Sequence, residues 1–363
     1  MKQKVVFVLP NVEGGGTHKV MLTLLNHLSR DKFKLHLIVV MNKGEFRRLI
    51  PSDIDVTFLN VDWVLKGFLP LLKTIRPIRP DIVLSATGTV NLMAIMMKSF
   101  LPKKTKIILR ESTCISESLR EPHYPRYPRL MRVLYKTLYP KADVVICQSG
   151  YMLKDLEENF RVDRRKLRKI LNPVDIDQIT ANLINSQNPF SSYGEGPQII
   201  SAGRLCYAKN FEALISAFNV FQQDNKNARL WILGQGPMKQ ELINYCHKLR
   251  VSDVVFFPGF QANPYPWFKY ADFFVSSSRF EGLPNVLLEA LACGCPVLAT
   301  DCPGGTREIM ELTGNADRLM DPANLKILPE HFERTNRSKT LDSLGKHFGV
   351  STIVEKYEQV LLS

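Results

Sequence analysis

The chain has 363 residues, of which 45% are hydrophobic, and it carries a formal net charge of +13. This length predicts two domains, and the hydrophobic content is ample for two packed cores. The opening MKQKVVFVLP indicates a β-strand and not a signal peptide, and no apolar run reaches the ~20 residues of a membrane-spanning helix. We therefore expect a cytoplasmic protein that is either soluble or attached peripherally to a membrane.

The first half alternates predicted strands with helical segments. Apolar residues recur at helical spacing over Lys19–Leu28, directly after the glycine loop Gly14-Gly15-Gly16. Strands are predicted at Val5–Leu9, Leu35–Val40, Ile82–Ser85, Ile107–Leu109 and Val144–Cys147. This alternation predicts a parallel, doubly wound α/β sheet.

The segment from Arg126 to Lys141 is basic and aromatic, and it predicts an amphipathic helix. Leucine, valine and tyrosine alternate there with Lys and Arg, a composition that can lie on an anionic membrane. The alternative is an ordinary core-packing helix whose basic face is solvated.

The second half begins after Asn172-Pro173-Val174-Asp175, which is followed by the polar stretch 182–197. A second α/β series then predicts another doubly wound domain. Its strands are predicted at Ile199–Ala202, Leu230–Leu233, Val254–Phe256, Phe273–Ser276 and Val297–Thr300, and its helices at Phe211–Phe221, Lys239–Leu249 and Pro284–Ala292. Residues 351–362 are apolar at helical spacing and predict a final helix.

The distribution of charge limits the classes of binding partner, and the cysteine content limits the kinds of disulfide or metal site. Residues 1–180 contain 31 Lys and Arg against 17 Asp and Glu, so the excess charge lies in the first half. An anionic membrane, a nucleic acid or an anionic acceptor would complement it, but no nucleic-acid motif is present, and a solvated basic surface is the alternative. The seven scattered cysteines predict buried thiols and no disulfide framework or zinc site.

The stretch from Ser276 to Glu308 is the most informative part of the chain. It places the carboxylates Glu281 and Glu289 around a predicted helix start that follows a strand. Such a helix N-terminus binds phosphate through free N–H groups and its dipole, whereas carboxylates repel phosphate and accept hydrogen bonds from sugar hydroxyls. The combination indicates a nucleotide sugar.

Glu281 through Glu289 resembles the E-x7-E motif of retaining GT-B glycosyltransferases, specifically glycosyltransferase family 4. Three further segments resemble the family in the expected order: the loop Gly14–Gly16, Gly203-Arg204 with Lys209-Asn210, and Gly234-Gln235-Gly236-Pro237. The resemblance spans nearly the whole chain. It implies two Rossmann-like domains facing a cleft, an acceptor-binding domain at 1–172 and a nucleotide-sugar-binding domain at 173–350, with a helix at 351–363 that crosses back to the first.

The resemblance also implies the site. Arg204 and Lys209 would stabilise the leaving diphosphate, Glu281 would contact the sugar, and Glu289 would bind the ribose hydroxyls. Surface cations, a solvated helix face and a simple turn at the second-domain glycines are the alternatives. The remaining implied donor contacts are Gly15, Gly16, Gly203, Asn210, Gly234, Gly236, Phe260, Gly282, Leu283, Pro284, Asn285 and Val286.

The chain departs from the family at two places in the first half. Many members carry a histidine after the fourth strand, where this chain has Arg110-Glu111, and a glutamate often follows the glycine loop, where this chain has Thr17-His18. Arg110, Glu111, His18 and the more weakly indicated His123 are therefore candidate acceptor or sugar contacts. A structural Arg–Glu ion pair and a helix-capping role for His18 are the alternatives.

The family implies retaining transfer of a sugar, a hexose or N-acetylhexosamine, from a UDP-sugar, with GDP-mannose as the alternative donor. We expect a saccharide acceptor, lipid-linked at the cytoplasmic membrane, in surface polysaccharide or lipopolysaccharide biosynthesis. No cofactor and no metal are expected, since no Asp-x-Asp motif stands in the expected place. A GT-B sugar-nucleotide epimerase and a non-catalytic glycosyltransferase-like subunit are the competing hypotheses.

Overall fold

The computed structural model describes residues 2–122, 127–328 and 337–363. The chain divides into two compact units, Met1–Pro173 together with Val350–Ser363, and Val174–Gly349. The division falls one residue after the boundary expected from the sequence.

The first unit contains a seven-stranded parallel sheet with the order β3-β2-β1-β4-β5-β6-β7. Its central strands are buried along most of their length, as expected for a sheet covered on both faces. The strands are β1 (Gln3–Leu9), β2 (Phe33–Val39), β3 (Asp55–Phe58), β4 (Ile82–Ala86), β5 (Lys106–Arg110), β6 (Val144–Cys147) and β7 (Leu167–Lys169).

The connections β3 to β4, β4 to β5 and β5 to β6 all move the chain in the same direction across this sheet. Right-handed crossovers therefore place the helices of these connections on one face, with α1 on the other. The helices of this part of the chain are α1 (Gly16–His27), α2 (Phe68–Ile78), α3 (Gly88–Met97), α4 (Ile115–Ser118), α5 (Pro128–Leu138) and α6 (Gly150–Phe160).

The second unit contains a six-stranded parallel sheet with the order β10-β9-β8-β11-β12-β13. Its strands are β8 (Gln198–Ala202), β9 (Arg229–Leu233), β10 (Val255–Gly259), β11 (Phe273–Ser276), β12 (Val297–Thr300) and β13 (Leu319–Met320). Its helices are α7 (Ile176–Leu183), α8 (Phe211–Asp224), α9 (Lys239–Leu249), α10 (Tyr265–Tyr270), α11 (Asn285–Ala292), α12 (Thr306–Leu312) and α13 (Arg337–Phe348). Both sheets confirm the predicted doubly wound α/β class.

The strand order of the second sheet reverses between β8 and β11. The chain leaves β8 toward β9 on one side and later leaves β11 toward β12 on the other. In open α/β sheets, ligands bind beyond the carboxyl ends of the strands at such a switch point. The topology therefore directs attention to the loops after Ala202 and Ser276.

The final helix, α14 (Val350–Leu362), belongs to the first unit and packs against α1. It buries Ile353, Tyr357 and Leu361. Its Glu358 accepts hydrogen bonds from the Ser29 N–H at 2.9 Å and the Lys32 ammonium at 2.5 Å. Apolar burial and one charged contact thus fix the helix on the first unit.

The cysteines are free thiols, and six of the seven are buried, as the sequence predicted. Across residues 2–122, 127–328 and 337–363, we find no helix with the length and apolar character needed to cross a membrane.

Candidate functional site

Lys209 and Glu281 meet beyond the carboxyl ends of β8 and β11, at the switch point of the second sheet. The Lys209 Nζ donates a hydrogen bond to the Glu281 Oε1 at 2.5 Å, and the Ser278 Oγ donates to the same oxygen at 2.6 Å. The Lys209 and Glu281 side chains are 18% and 12% exposed. Two residues that lie 72 positions apart in the sequence thus form one largely buried ion pair.

The electrostatics of the pair keep Lys209 charged. Burial alone would lower the pKa of the Lys209 amine, but the adjacent Glu281 carboxylate outweighs burial, and the pKa is raised. The site therefore offers an ammonium that can bind phosphate beside a carboxylate that can accept hydrogen bonds from hydroxyl groups.

Backbone contacts hold the Lys209 segment against the loop that follows β11. The Ser277 Oγ donates to the Lys209 carbonyl at 2.8 Å, and the Arg279 N–H donates to the Ala208 carbonyl at 2.7 Å. The Arg279 guanidinium also lies 4.2 Å from the centroid of the Tyr207 ring. These contacts fix where the Lys209 side chain begins.

The sequence reasoning missed Ser277, Ser278 and Arg279. A signal for them was present, because three hydroxyl or charged residues directly follow a buried strand at the edge where ligands bind.

Asn210 ends the Lys209 segment and begins α8. It is 8% exposed and adopts a left-handed conformation with φ 51°. Asparagine tolerates this conformation better than most residues. Its backbone turns the chain sharply from the Lys209 loop into the helix, so its evident role here is to shape the loop.

Arg204 lies on the same side of the sheet in the loop after β8. Its side chain is exposed, and within the part of the chain that the structure describes it makes no hydrogen bond or ion pair. A guanidinium without a protein partner remains available to an anionic ligand.

The second-domain glycines allow backbones to approach closely around these cations. A Cβ added at Gly234 would lie 1.9 Å from the Gly203 carbonyl oxygen, and one at Gly236 would lie 2.3 Å from the Leu205 carbonyl oxygen. A Cβ at Gly203 would lie 2.9 Å from the Lys209 Cε. A side chain at any of these three glycines would collide with residues of the segment 203–209. The glycines therefore permit the packing around the Arg204–Lys209 loop, which is more than a simple turn would require.

Gly304 likewise allows the loop after β12 to pack closely against the Glu281 backbone. Its φ is +129°, and an added Cβ would lie 1.8 Å from the Glu281 carbonyl oxygen. The Glu281 N–H donates to the Pro303 carbonyl at 2.9 Å. The loop after β12 thus presses directly on the backbone of the site carboxylate.

Helix α11 carries the second carboxylate of the motif. The helix begins at Asn285, with Pro284 as its N-cap, one residue later than predicted. Glu289 is 7% exposed and lies one helical turn after Asn285, among buried leucine and alanine side chains. Its burial contradicts the alternative of a solvated helix face.

The other donor candidates of the second unit surround this helix start and the end of β10. Gly282, Leu283 and Pro284 are buried, whereas Asn285 and Val286 are half-buried. Phe260 is half-buried and directly follows β10.

In the first unit, β1 ends at Leu9 as predicted, and the glycine loop begins five residues later at Gly14. Gly15 immediately precedes α1 and Gly16 is its first residue, so the helix starts three residues before the predicted Lys19. Gly14 and Gly15 have φ values of +115° and +97°, which explains glycine at both positions.

His18 lies in the first turn of α1, and only one of its two ring nitrogens, the Nδ1, has a hydrogen-bond partner among the described residues. The Nδ1 lies 2.5 Å from the Gly14 carbonyl oxygen, which can only accept, so the Nδ1 carries the hydrogen. The Nε2 is buried and has no hydrogen-bond partner among the described residues. Burial lowers the pKa of His18, which favours a neutral ring with the Nε2 as an acceptor. His18 does not cap the helix, which has no side-chain cap.

Arg110 and Glu111, the candidate acceptor or sugar contacts, lie buried at the carboxyl end of β5. Each is 1% exposed, and no ion pair joins the two among the described residues. The Arg110 Nη2 donates to the Asn172 Oδ1 at 2.6 Å, and its Nε donates to the Tyr357 hydroxyl at 3.2 Å. These contacts give Arg110 a structural role inside the first unit and argue against the simple ion pair. Its Nη1 is buried and has no hydrogen-bond partner among the described residues.

Glu111 has its own buried partners. It accepts hydrogen bonds from the Tyr139 hydroxyl at 2.5 Å and from the Ser112 N–H at 2.8 Å. Burial raises the pKa of its carboxyl group. These hydrogen bonds tie Glu111 to the interior of the first unit. His123 lies outside the described residues.

No group of three His, Cys, Asp or Glu residues with the spacing of a metal site occurs in residues 2–122, 127–328 or 337–363.

Two family models match the chain. The model of "Glycosyltransferase Family 4" matches residues 14–178, and the model of "Glycosyl transferases group 1" matches residues 185–332. Together they cover both units, and the second contains the Arg204, Lys209, Glu281 and Glu289 positions.

Among curated proteins, the chain is similar to the N-acetylgalactosamine-N,N'-diacetylbacillosaminyl-diphospho-undecaprenol 4-alpha-N-acetylgalactosaminyltransferase of Campylobacter jejuni. The two are 32% identical over 318 residues, which is 85% of this chain and 83% of the relative. The amylovoran biosynthesis glycosyltransferase AmsD of Erwinia amylovora is 24% identical over 96% of each chain.

Among solved structures, HepE of Anabaena in complex with UDP-glucose superposes with a TM-score of 0.77 at 19% identity, over 99% of both chains. Sucrose-phosphate synthase from Thermosynechococcus elongatus superposes with a TM-score of 0.75 at 14% identity, over 99% of this chain and 98% of that one. At these identities the likeness concerns the fold.

Proposed function

Because this chain belongs to glycosyltransferase family 4 (group 1) and has the GT-B fold, we propose that it is a retaining, metal-independent hexosyl- or N-acetylhexosaminyltransferase that uses a UDP-sugar. The observation that carries the proposal is the Lys209–Glu281 pair at the switch point of the second sheet, together with the exposed Arg204 earlier in the same loop as Lys209. This arrangement supplies cations for a diphosphate and a carboxylate for sugar hydroxyls.

Catalysis would depend on charge at the leaving group. As the bond between the anomeric carbon and the diphosphate breaks, negative charge accumulates on the phosphate oxygens. Lys209 and Arg204 would stabilise that charge more strongly in the transition state than in the bound donor. Two cations at the diphosphate can supply the charge that a divalent ion supplies elsewhere, and on this ground we propose metal independence.

Retention would follow from the face of attack. The acceptor hydroxyl oxygen would attack the anomeric carbon from the side on which the diphosphate leaves. One carbon–oxygen bond forms as the other breaks, and the hydroxyl proton passes to a phosphate oxygen of the leaving group. The products are a nucleoside diphosphate and a glycoside of unchanged anomeric configuration.

The family resemblance assigns the binding roles of the remaining site residues. Glu281 would accept hydrogen bonds from donor-sugar hydroxyls, and Glu289, buried one turn into α11, would accept them from the ribose. Gly15 and Gly16 of the first unit would contact the donor, as the family resemblance implies, and the Nε2 of His18 would accept a hydrogen bond from a substrate hydroxyl group.

A UDP-sugar is favoured over GDP-mannose by two likenesses. The Anabaena neighbour was crystallised with UDP-glucose, and the Campylobacter relative is named as an N-acetylgalactosaminyltransferase. Phe260, at the end of β10, is the proposed contact to the base.

The proposed acceptor is a saccharide on a lipid diphosphate. The Campylobacter relative is named for an acceptor of that kind, and the positive charge of the first half of this chain complements a diphosphate and an anionic bilayer. We further propose peripheral attachment at the inner face of the cytoplasmic membrane, in the assembly of a surface glycan.

A transfer assay tests the proposal. The protein is incubated with UDP-glucose, UDP-galactose, their N-acetylhexosamine counterparts or GDP-mannose, each with a synthetic saccharide on a polyprenyl diphosphate. Mass spectrometry would detect the added sugar, and NMR would give the anomeric configuration of the new linkage. We expect a retained linkage from one UDP-sugar in the presence of a chelator, formed about 100-fold or more slowly by the Lys209→Met variant.

Other outcomes separate the alternatives. Conversion of the donor into an isomer without acceptor would indicate an epimerase. Donor binding without any turnover would indicate a non-catalytic subunit. An inverted linkage would contradict the proposed face of attack.

A further inference from the structure

The first unit exposes large apolar side chains on two neighbouring elements. Trp63, Leu65 and Leu69, around the 3₁₀ turn Val64–Gly67 and the start of α2, are 67%, 58% and 63% exposed. Leu130 and Val133 of α5 are 55% and 57% exposed. We call the first group the Trp63 tip and the second the α5 stripe.

Both groups flank α3 on the same face of the first sheet. The 3₁₀ turn packs on one part of α3, since a Cβ added at Gly67 would lie 3.8 Å from the Met93 Cε. Helix α5 packs on the α3 N-terminus, where a Cβ added at Gly88 would lie 2.1 Å from the Tyr135 hydroxyl. The right-handed crossovers place α2, α3 and α5 in one layer.

Helix α5 has two different faces. Its half-buried face packs against α3 and α6 and carries Met131, Leu134, Tyr135 and Leu138, although none of the helix's residues is fully buried. Its exposed Leu130 and Val133 alternate with the exposed Arg129, Arg132 and Lys136. The outer face of α5 thus combines exposed apolar and cationic side chains, as helices at a membrane interface do.

The charge of this layer selects the partner. Residues 63–80, 82–110 and 127–142, which contain α2, α3 and α5, include no Asp or Glu at all. Behind the Trp63 tip, the exposed Lys66, Lys73 and Arg76 follow Leu65 and Leu69 along the chain. Apolar tips backed by basic residues complement an anionic bilayer, where apolar groups enter the acyl boundary and cations meet phosphates.

We propose that the Trp63 tip inserts into an anionic membrane while the α5 stripe lies on its surface, so that the first unit makes a two-point contact with the bilayer. The α5 contact is mainly electrostatic and sensitive to salt, whereas the tip contributes apolar burial. This proposal extends the proposed peripheral attachment but does not depend on the donor or on catalysis.

The fluorescence of Trp63 reports directly on insertion of the Trp63 tip. The chain has three tryptophans, and the other two, Trp231 and Trp267, lie in the second unit. The intrinsic fluorescence of the protein is measured with vesicles of phosphatidylcholine and phosphatidylglycerol, without nucleotide. We expect a blue shift and quenching by acyl-chain-brominated lipid, both lost in Trp63→Phe, and no response to phosphatidylcholine alone.

Variants separate the two contacts. Leu65→Ser with Leu69→Ser should weaken vesicle binding by roughly tenfold or more, even in high salt, because two apolar side chains no longer insert. Arg129→Gln with Arg132→Gln should weaken binding by about tenfold or more, mainly at low salt. Val220→Ser, which removes a 65% exposed side chain from α8 in the second unit, is the matched control and should bind as the wild type does.

Three results would overturn the proposal. They are vesicle binding with unchanged Trp63 fluorescence, absence of binding to the anionic vesicles, and a blue shift that follows protein concentration without lipid, which would assign the tip to contacts between copies of the chain. Nucleotide binding, measured separately on the same samples, distinguishes failure of the membrane proposal from failure of the proposed enzyme.

Discussion

The Lys209 Nζ lies 2.5 Å from the Glu281 Oε1, so the proposed diphosphate cation and the proposed sugar-binding carboxylate hold each other in place. A donor must therefore enter a site that is already charged and already ordered. Preorganised charges of this kind require little rearrangement when the transition state forms.

Replacing either member of the pair should remove catalysis by different routes. Lys209→Met removes the cation and should lower kcat by about 100-fold or more, as loss of a preorganised charge does elsewhere. Glu281→Gln keeps the shape but removes the charge that raises the pKa of Lys209, so its activity should also fall at lower alkaline pH than that of the wild type. The pH dependence of kcat/KM checks this, and identical alkaline limbs would contradict the coupling.

Arg204→Met should lower kcat/KM by roughly 100-fold while leaving the melting temperature unchanged, because the side chain is exposed and has no partner in the described chain to lose. Steady-state kinetics and thermal unfolding on the same samples measure both effects. The matched control is Lys226→Met, an exposed cation in the loop after α8, which should change neither. Equal losses in the two variants would reduce Arg204 to a nonspecific surface charge.

Glu289→Ala should abolish donor turnover with the fold intact, and Glu289→Gln should weaken binding of the free nucleoside diphosphate by about tenfold or more, since a hydrogen bond to a carboxylate is exchanged for a neutral one. Calorimetric titration with UDP measures the second effect. Wild-type activity in Glu289→Ala would contradict a ribose-binding role.

Gly304→Ala should impair the site because the new Cβ meets the Glu281 carbonyl oxygen and φ is +129°. We expect kcat/KM to fall and the protein to be destabilised by more than ~1 kcal/mol. Gly345→Ala in α13, where an added Cβ meets nothing within 4 Å, is the control and should stabilise the protein by up to ~1 kcal/mol. Urea unfolding measures both, and an unimpaired Gly304→Ala enzyme would contradict the supporting role of that loop.

Arg110→Met should act on stability. It leaves the buried Asn172 and Tyr357 without their guanidinium partner, at a cost of about 1–3 kcal/mol for an unsatisfied buried group. Activity per folded molecule should stay close to that of the wild type. A stable variant with a large loss of kcat would restore Arg110 as a substrate contact.

Much of the fold could be predicted from the sequence because buried parallel strands appear as apolar runs. Val5–Leu9 and Phe273–Ser276 were found for this reason. The edge strands β3 and β7 were not, because they are short and largely exposed, so burial leaves no apolar signature.

The candidate site was likewise predictable in part: the positions of its residues followed from the sequence, but their contacts did not. Motif spacing placed Arg204, Lys209, Glu281 and Glu289 on the correct loops and helix. It could not reveal that Lys209 and Glu281 touch, since 72 residues separate them, nor that Arg110 turns inward to Tyr357 on a helix 247 positions later. Such contacts depend on the topology, which local sequence does not specify.

The most direct test of the central claim is a thermal-shift panel with UDP, GDP, ADP and their common sugar conjugates on wild type and Lys209→Met. Ligands that bind the native state raise the melting temperature by mass action. We expect UDP and one UDP-sugar to stabilise the wild type clearly and the variant much less. Equal shifts in both proteins would contradict the role of Lys209 at the diphosphate, and no shift with any nucleotide would contradict a donor site at the Lys209–Glu281 pair.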